Sequence, residues 1–158
     1  MLHDLIIGMA GSGGDGIVSA GESLISASAK EGYFAILTKS FGSQIRGGES
    51  SCRLRVSTHP VLNPGGTLDV AVVLNWEDFL RFGGELPTGK DTVVIYESKT
   101  KVAPDAVPLS VKPAISLSVP LEDMAMKSAG TLQAKNNVVL GLLAGWFGLP
   151  RKSILDGI

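Results

Sequence analysis

The sequence predicts a three-layer α/β/α domain built on a mostly parallel, mixed central sheet. Short continuous apolar runs alternate with helical stretches along the chain, the mark of buried parallel strands with crossover helices. The first run leads through a glycine cluster into a helix and on to a second strand, a unit that implies a parallel, right-handed crossover. One segment breaks the pattern: Cys52, Leu54 and Val56 alternate strictly with Ser51, Arg53, Arg55 and Ser57. Such alternation predicts a strand with one wet or polar-covered face, antiparallel and at the sheet edge.

The elements follow in order. Leu5-Ile6-Ile7 is a buried strand ending at Gly8. After Gly11-Ser12-Gly13-Gly14-Asp15-Gly16, the spacing of Ile17, Leu24 and Ala27–Ser28 predicts a helix from Ile17 to Lys30, stopped by Gly32. Tyr33–Thr38 is the second strand, followed by a second glycine-bearing loop, Ser40 to Ser50, and then the alternating strand. His59–Thr67 holds Pro60, Pro64, Gly65 and Gly66 and is a loop. Asp69–Leu74 is a fully apolar strand closed by Asn75, and Trp76–Phe82 is a short helix with Glu77 and Asp78 in its first turn, where the dipole favours acids. Thr92–Tyr96 is a strand, Lys99–Lys112 is irregular, and Ile115–Val119 is a last strand ended by Pro120. Helices are expected at Leu121–Ser128 and at Gln133–Phe147, the latter with Val139, Leu143, Trp146 and Phe147 along one stripe. Arg151–Ile158 begins another helix and stops abruptly, which suggests a domain excised from, or shortened within, a longer chain.

Composition excludes several classes. The chain has 158 residues, 44% hydrophobic and 18% charged, which is too apolar for disorder and long enough to bury a core without staples. A net charge of −1 lacks the electrostatic footprint of a nucleic-acid binder. The single Cys52 excludes a disulfide framework and any cysteine-built zinc or iron–sulfur site, and His3 and His59 cannot make a histidine-rich one. No signal peptide is visible, and the longest apolar stretch, Val138–Leu149, is broken by three glycines and falls short of the ~20 residues of a membrane span. A soluble cytoplasmic protein is expected. The sparse charge points to a larger assembly whose neighbours cover part of the surface.

Two loops could carry a ligand. Gly11-x-Gly13-x-x-Gly16 follows a strand and opens a helix, where glycines admit close backbone approach and the helix N-terminus attracts phosphate. The plain alternative is a tight turn packing helix on sheet. A dinucleotide site also wants an acid at the end of the second strand, and that strand ends Thr38-Lys39-Ser40. Asp15 puts a negative charge where a pyrophosphate would sit, and its carboxylate suits a helix cap better. No Gly-Lys-Ser/Thr follows, so this is not a P-loop. The second loop carries Arg46-Gly47-Gly48-Glu49, and both loops are placed at the carboxyl edge of the sheet, where ligands of open α/β folds bind. Arg46 offers a planar fork of donors to phosphate, or simply pairs with Glu49 or solvent. There is no nucleophile elbow and no paired carboxylate spacing. Cys52 reads as a buried, inert thiol, and Trp76 and Trp146 as packing residues. No catalytic set is present.

Taken together, Gly11–Gly16, Ser40–Ser50, Asp69-Val70-Ala71-Val72-Val73-Leu74-Asn75 and Lys135-Asn136-Asn137, in that order over nearly the whole chain, resemble the gamma subunit or gamma domain of 2-oxoacid:ferredoxin oxidoreductases, the pyruvate and 2-oxoglutarate ferredoxin oxidoreductase group. Asp15 departs from the glutamine usual in stand-alone gamma subunits and is more like enzymes whose gamma domain is fused ahead of the alpha region. The resemblance implies a fold like domain III of pyruvate:ferredoxin oxidoreductase, with residues 1–158 forming one gamma-type domain. It implies a complete enzyme that decarboxylates a 2-oxoacid on thiamine diphosphate, passes electrons through iron–sulfur clusters to ferredoxin and forms an acyl-CoA. The chain alone would bind no cofactor; its partners would be the alpha, beta and, where present, delta components. Its own part would be assembly and a share of the CoA site, carried by Gly13, Gly14, Arg46, Gly47, Lys135 and Asn137. The alternative kept beside it is a stand-alone Rossmann-like nucleotide- or dinucleotide-binding module.

Overall fold

A computed structural model describes residues 2–43 and 48–157. Six strands form one mixed sheet: β1 (Asp4–Ser12), β2 (Phe34–Phe41), β3 (Glu49–Ser57), β4 (Val70–Val73), β5 (Val93–Glu97) and β6 (Ile115–Val119). Their order across the sheet is β2-β3-β1-β4-β5-β6. β1, β4, β5 and β6 run parallel, and β3 is antiparallel to both β1 and β2. Five helices complete the fold: α1 (Ile17–Lys30), α2 (Trp76–Arg81), α3 (Leu121–Ala129), α4 (Lys135–Phe147) and α5 (Arg151–Leu155). Among the described residues no helix is long and apolar enough to cross a membrane.

The two outer layers are unequal. On one face Leu24 of α1, Leu140 and Leu143 of α4 and Ile154 of α5 pack on Ile7, Met9, Leu54 and Val72 of the strands. On the other, Trp76 and Phe79 of α2 join Leu68, Leu86 and Tyr96, with Val102, Val107 and Leu109 from irregular chain as the remaining cover. The expected three layers are therefore present, one helical and one largely made of loop.

Three expectations need correction. β1 does not stop at Gly8; it runs to Ser12, paired with β3 along its length and with β4 from Ile7 to Ala10. Gly8 sits inside the strand because Leu68 and Leu86 press on it where a β-carbon would stand. β3 is antiparallel as expected but is not an edge strand: it lies between β1 and β2, and β2 forms the edge. Its polar face tolerates this because the 58–67 segment covers it. Arg53 donates to the carbonyls of Gly65, Gly66 and Glu85, and Arg55 pairs with Asp4 at 2.7 Å and donates to Asn63. Trp146, expected in the α4 core stripe, is instead 50% exposed. The β1–α1–β2 unit keeps its parallel sense, since both strands oppose β3, but its strands are not neighbours.

Candidate functional site at the carboxyl edge of the sheet

Both glycine loops emerge at one edge. β1 ends at Ser12 opposite Glu49, and β2 ends at Phe41 opposite Ser50. The Gly42 N–H donates to the Glu49 carbonyl at 2.8 Å, so the second loop leaves and returns beside the first. Arg46 and Gly47 lie outside the described residues.

The first loop is a tight bend. Asp15 N–H donates to the Ser12 carbonyl, and Gly14 and Gly16 take positive φ of 97° and 74°. A side chain at either would be strained. Gly13 and Gly14 are exposed at the tip, and nothing within 4 Å would meet a β-carbon on Gly14. The bend thus offers bare backbone to anything approaching this edge.

Asp15 does not cap α1, contrary to the expectation. Gly16 occupies the cap position without a side-chain bond, and the Asp15 carboxylate folds back across the bend. One oxygen accepts from the Ser12 N–H at 2.8 Å; the other meets the Lys135 ammonium at 2.6 Å. Both side chains are only 13% exposed. Lys135, at the start of α4, also reaches Glu122 of α3 at 3.5 Å. Glu122 in turn pairs with Lys99, which pairs with Asp123. Charges of alternating sign therefore run from the glycine bend across α4 and α3 to the turn after β5.

Burial works to lower the Lys135 pKa, but the Asp15 hydrogen bond and charge, with Glu122 behind them, hold it above the usual lysine value. The Lys99 hydrogen bond, opposed by burial and aided by the charge of Lys135, holds Glu122 below the usual carboxylate range. On the far side of the bend Ser12 Oγ donates to buried Asp78 at 2.7 Å, and Asn75 Oδ1 accepts the Asp78 N–H, capping α2. Arg81 sits between Glu49 at 3.3 Å and Glu77 at 2.7 Å. Glu97, buried at the end of β5, accepts the N–H groups of Lys99 and Glu122.

The sequence-predicted residues are thus partly united. Gly13, Gly14 and Lys135 meet around Asp15. Asn137 does not join them: it is exposed and lines a groove with Ser23, Thr131 and Gln133. Its neighbour Asn136 packs on Gly16 instead, at 2.9 Å from where a β-carbon would stand. One residue on a helix is ~100° of rotation, and only the packing of α4 on the bend settles which asparagine faces it. The edge is also less positive than the sequence suggests. Lys135, Lys99 and Arg81 each already hold a carboxylate. Glu122 and Lys99 escaped the sequence reading because nothing local links positions 23 residues apart. Cys52 lies in β3 against the Ile17 carbonyl, and burial pushes its thiol up to about 12. It is no ligand for a cluster and no nucleophile at neutral pH.

Comparison with known proteins gives the relatives of this chain. The family model described as pyruvate ferredoxin/flavodoxin oxidoreductase matches residues 6–158. The chain is 32% identical over 153 residues to ketoisovalerate oxidoreductase subunit VorA of Methanothermobacter thermautotrophicus, covering 95% of this chain and 30% of that one. It is 28% identical to 2-oxoglutarate synthase subunit KorC of Archaeoglobus fulgidus, covering 98% of this chain and 76% of KorC. Among solved structures, the 2-oxoglutarate:ferredoxin oxidoreductase of Magnetococcus marinus, with 2-oxoglutarate, coenzyme A and succinyl-CoA bound, superposes with a TM-score of 0.81 at 28% identity, over 99% of this chain and 27% of that one. The chain spans under a third of the VorA and Magnetococcus marinus chains.

Proposed function

The chain belongs to the pyruvate ferredoxin/flavodoxin oxidoreductase family, and we propose that it is the gamma component of a thiamine-diphosphate-dependent 2-oxoacid:ferredoxin oxidoreductase that forms an acyl-CoA. Its part is assembly and the CoA-side rim of the active site. One observation carries the reading: the two glycine loops leave the sheet at the same edge, with Lys135 brought to the first of them. A solved relative with this fold binds coenzyme A. The phosphates of CoA suit exposed backbone N–H groups at a glycine bend and a nearby guanidinium or ammonium.

Asp15 gives the rim a condition. The visiting anion must take Lys135 from Asp15 or share it, so affinity rests on exchange of partners rather than on net positive charge. Thiamine diphosphate and the iron–sulfur clusters belong to the other components. The single buried thiol here cannot hold a cluster, and no step of electron transfer is assigned to this chain.

In the complete enzyme, Arg46→Ala is expected to raise the apparent KM for CoA about tenfold or more, the scale of one lost charge-assisted hydrogen bond. Decarboxylation measured without CoA stays unchanged. Asp15→Asn, which keeps a partner for the Ser12 N–H and leaves Lys135 only its longer contact to Glu122, lowers that KM. An unaltered KM in both variants removes the rim role. The dinucleotide-module reading is disfavoured because antiparallel β3 stands between β1 and β2, and Asp15 already fills the Ser12 N–H. Titration of the chain with NAD, NADP, ATP and CoA separates the two readings: tight binding of a dinucleotide alone would restore the rival.

A further inference from the structure

Beyond its polar first turn, Lys135-Asn136-Asn137, α4 is apolar all round, yet only part of it is buried. Val139, Leu140, Leu143 and Ala144 face the core. Helical spacing places Gly141 and Gly145 on the opposite side, exposed, between Val138 and Leu142, which pack one edge on the core and leave the other open. Gly141 and Gly145 form the floor of a valley. On its α3 side lies a groove of about 640 Å³ walled by Met124, Val138 and Leu142; on its α5 side lies a smaller one of about 290 Å³ walled by Leu155 and Arg151.

Two facts say that something outside residues 1–158 completes the valley. Helices that are apolar all round are ordinarily buried all round. Glycine is among the poorest helix formers, and a β-carbon at Gly141 or Gly145 would meet nothing within 4 Å. No packing inside the fold therefore calls for glycine at either place; close approach of another backbone would.

The flanks indicate what approaches. Lys127 lines the groove on the α3 side and Arg151 the groove on the α5 side; both are exposed and form no ion pair among the described residues. The acids of α3, Glu122 and Asp123, are engaged by Lys99 and Lys135, which leaves Asp156 as the carboxylate of the α5 flank. A second copy would bring the same basic flanks against these. We propose that the α4 valley seats an apolar-centred helix from outside residues 1–158 whose edges carry carboxylates. The valley runs along the middle and end of α4, and its occupancy is separate from the chemistry at the N-terminus of that helix.

The test uses the full chain and a synthetic helical peptide of about 18 residues, long enough to hold a helix. The peptide carries leucines at i, i+3, i+4 and i+7 spacing and glutamates along both edges; a twin carries lysines instead. Fluorescence anisotropy of a dye on the peptide reports the binding. The glutamate peptide is expected to give a saturating rise in anisotropy and to bind at least tenfold tighter than the lysine twin. Gly145→Leu should weaken it at least tenfold while the chain melts no lower than the parent, since leucine is the better helix former and meets no clash there. Equal binding of the two peptides, or no saturable binding of the glutamate peptide, overturns the proposal. So does a dimer of the chain by light scattering that Gly145→Leu dissolves, because the occupant would then be a second copy.

Discussion

α1 and α4 lie on the same face of the sheet and contribute to the same core, and each has glycine within it. In α1 the glycine has a neighbour: a β-carbon on Gly21 would stand 3.0 Å from Cys52 Sγ and from Leu37 Cδ1. The helix can approach β2 and β3 closely only because nothing is there. In α4 the glycines have none. The outer side of α1 carries Ser19, Glu22, Ser26 and Lys30, whereas the outer side of α4 carries Gly141, Gly145 and the open edges of Val138 and Leu142, with Trp146 half exposed near its end. A glycine whose reason lies inside the fold therefore sits on an amphipathic helix that is finished as it stands. Glycines whose reason lies outside sit on a helix with an apolar surface still open.

That contrast can be broken from either side. The largest effect belongs to the buried side of α4. Leu143→Ala, at a fully buried position, is expected to cost about 2–5 kcal/mol by urea denaturation. Trp146→Ala, three residues on, should stay within about 0.5 kcal/mol in the isolated chain. Equal costs would mean that the open side of α4 is not open. Next comes the glycine itself. Gly21→Leu should lose about 1–3 kcal/mol by overpacking against Cys52 and Leu37, in spite of its better helix propensity. A Gly21→Leu chain as stable as the parent would remove the distinction between the two kinds of glycine.

The smallest effect at any one step is a slope per pH unit, from the residue that Gly21 faces. Burial holds the Cys52 thiol protonated up to about 12, against an ordinary value of 9.0 in the unfolded chain. Above pH 9 the unfolded state releases this proton and the folded state keeps it. Stability therefore falls between about pH 9 and 12, by at most about 1.4 kcal/mol per pH unit. Cys52→Ala should flatten that slope in denaturation curves taken across the range, and a slope that survives the substitution assigns it to other groups.

Much of the fold was legible because local pattern and tertiary role agreed. Ile17–Lys30 and Ile115–Val119 have the predicted limits, and Val70–Val73 is a strand buried along its whole length, as its unbroken apolar run implies. The errors lie where a partner distant in sequence changed the meaning of a local signal. The alternation in Glu49–Ser57 looked like an edge because its arginines needed a polar cover, and the carbonyls of Gly65 and Gly66 supply that cover in the sheet interior. Gly8 looked like a strand end, but Leu68 and Leu86 make it a strand middle. At the site, the bend and its edge were readable from glycine spacing, whereas the partner of Asp15 was not.

The sequence by itself determined the element order, the α/β class, the family and the single thiol unfit for a cluster, because periodicity, glycine position and residue counts are local or additive properties. Tertiary structure alone decided which strand is the edge, that Lys135 arrives already neutralised, that Asn136 rather than Asn137 meets the bend, and that half of α4 faces outward. Each of those depends on which side of a helix or strand meets a neighbour dozens of positions away. A rotation of one residue about a helix axis reverses such an answer without altering any pattern along the chain.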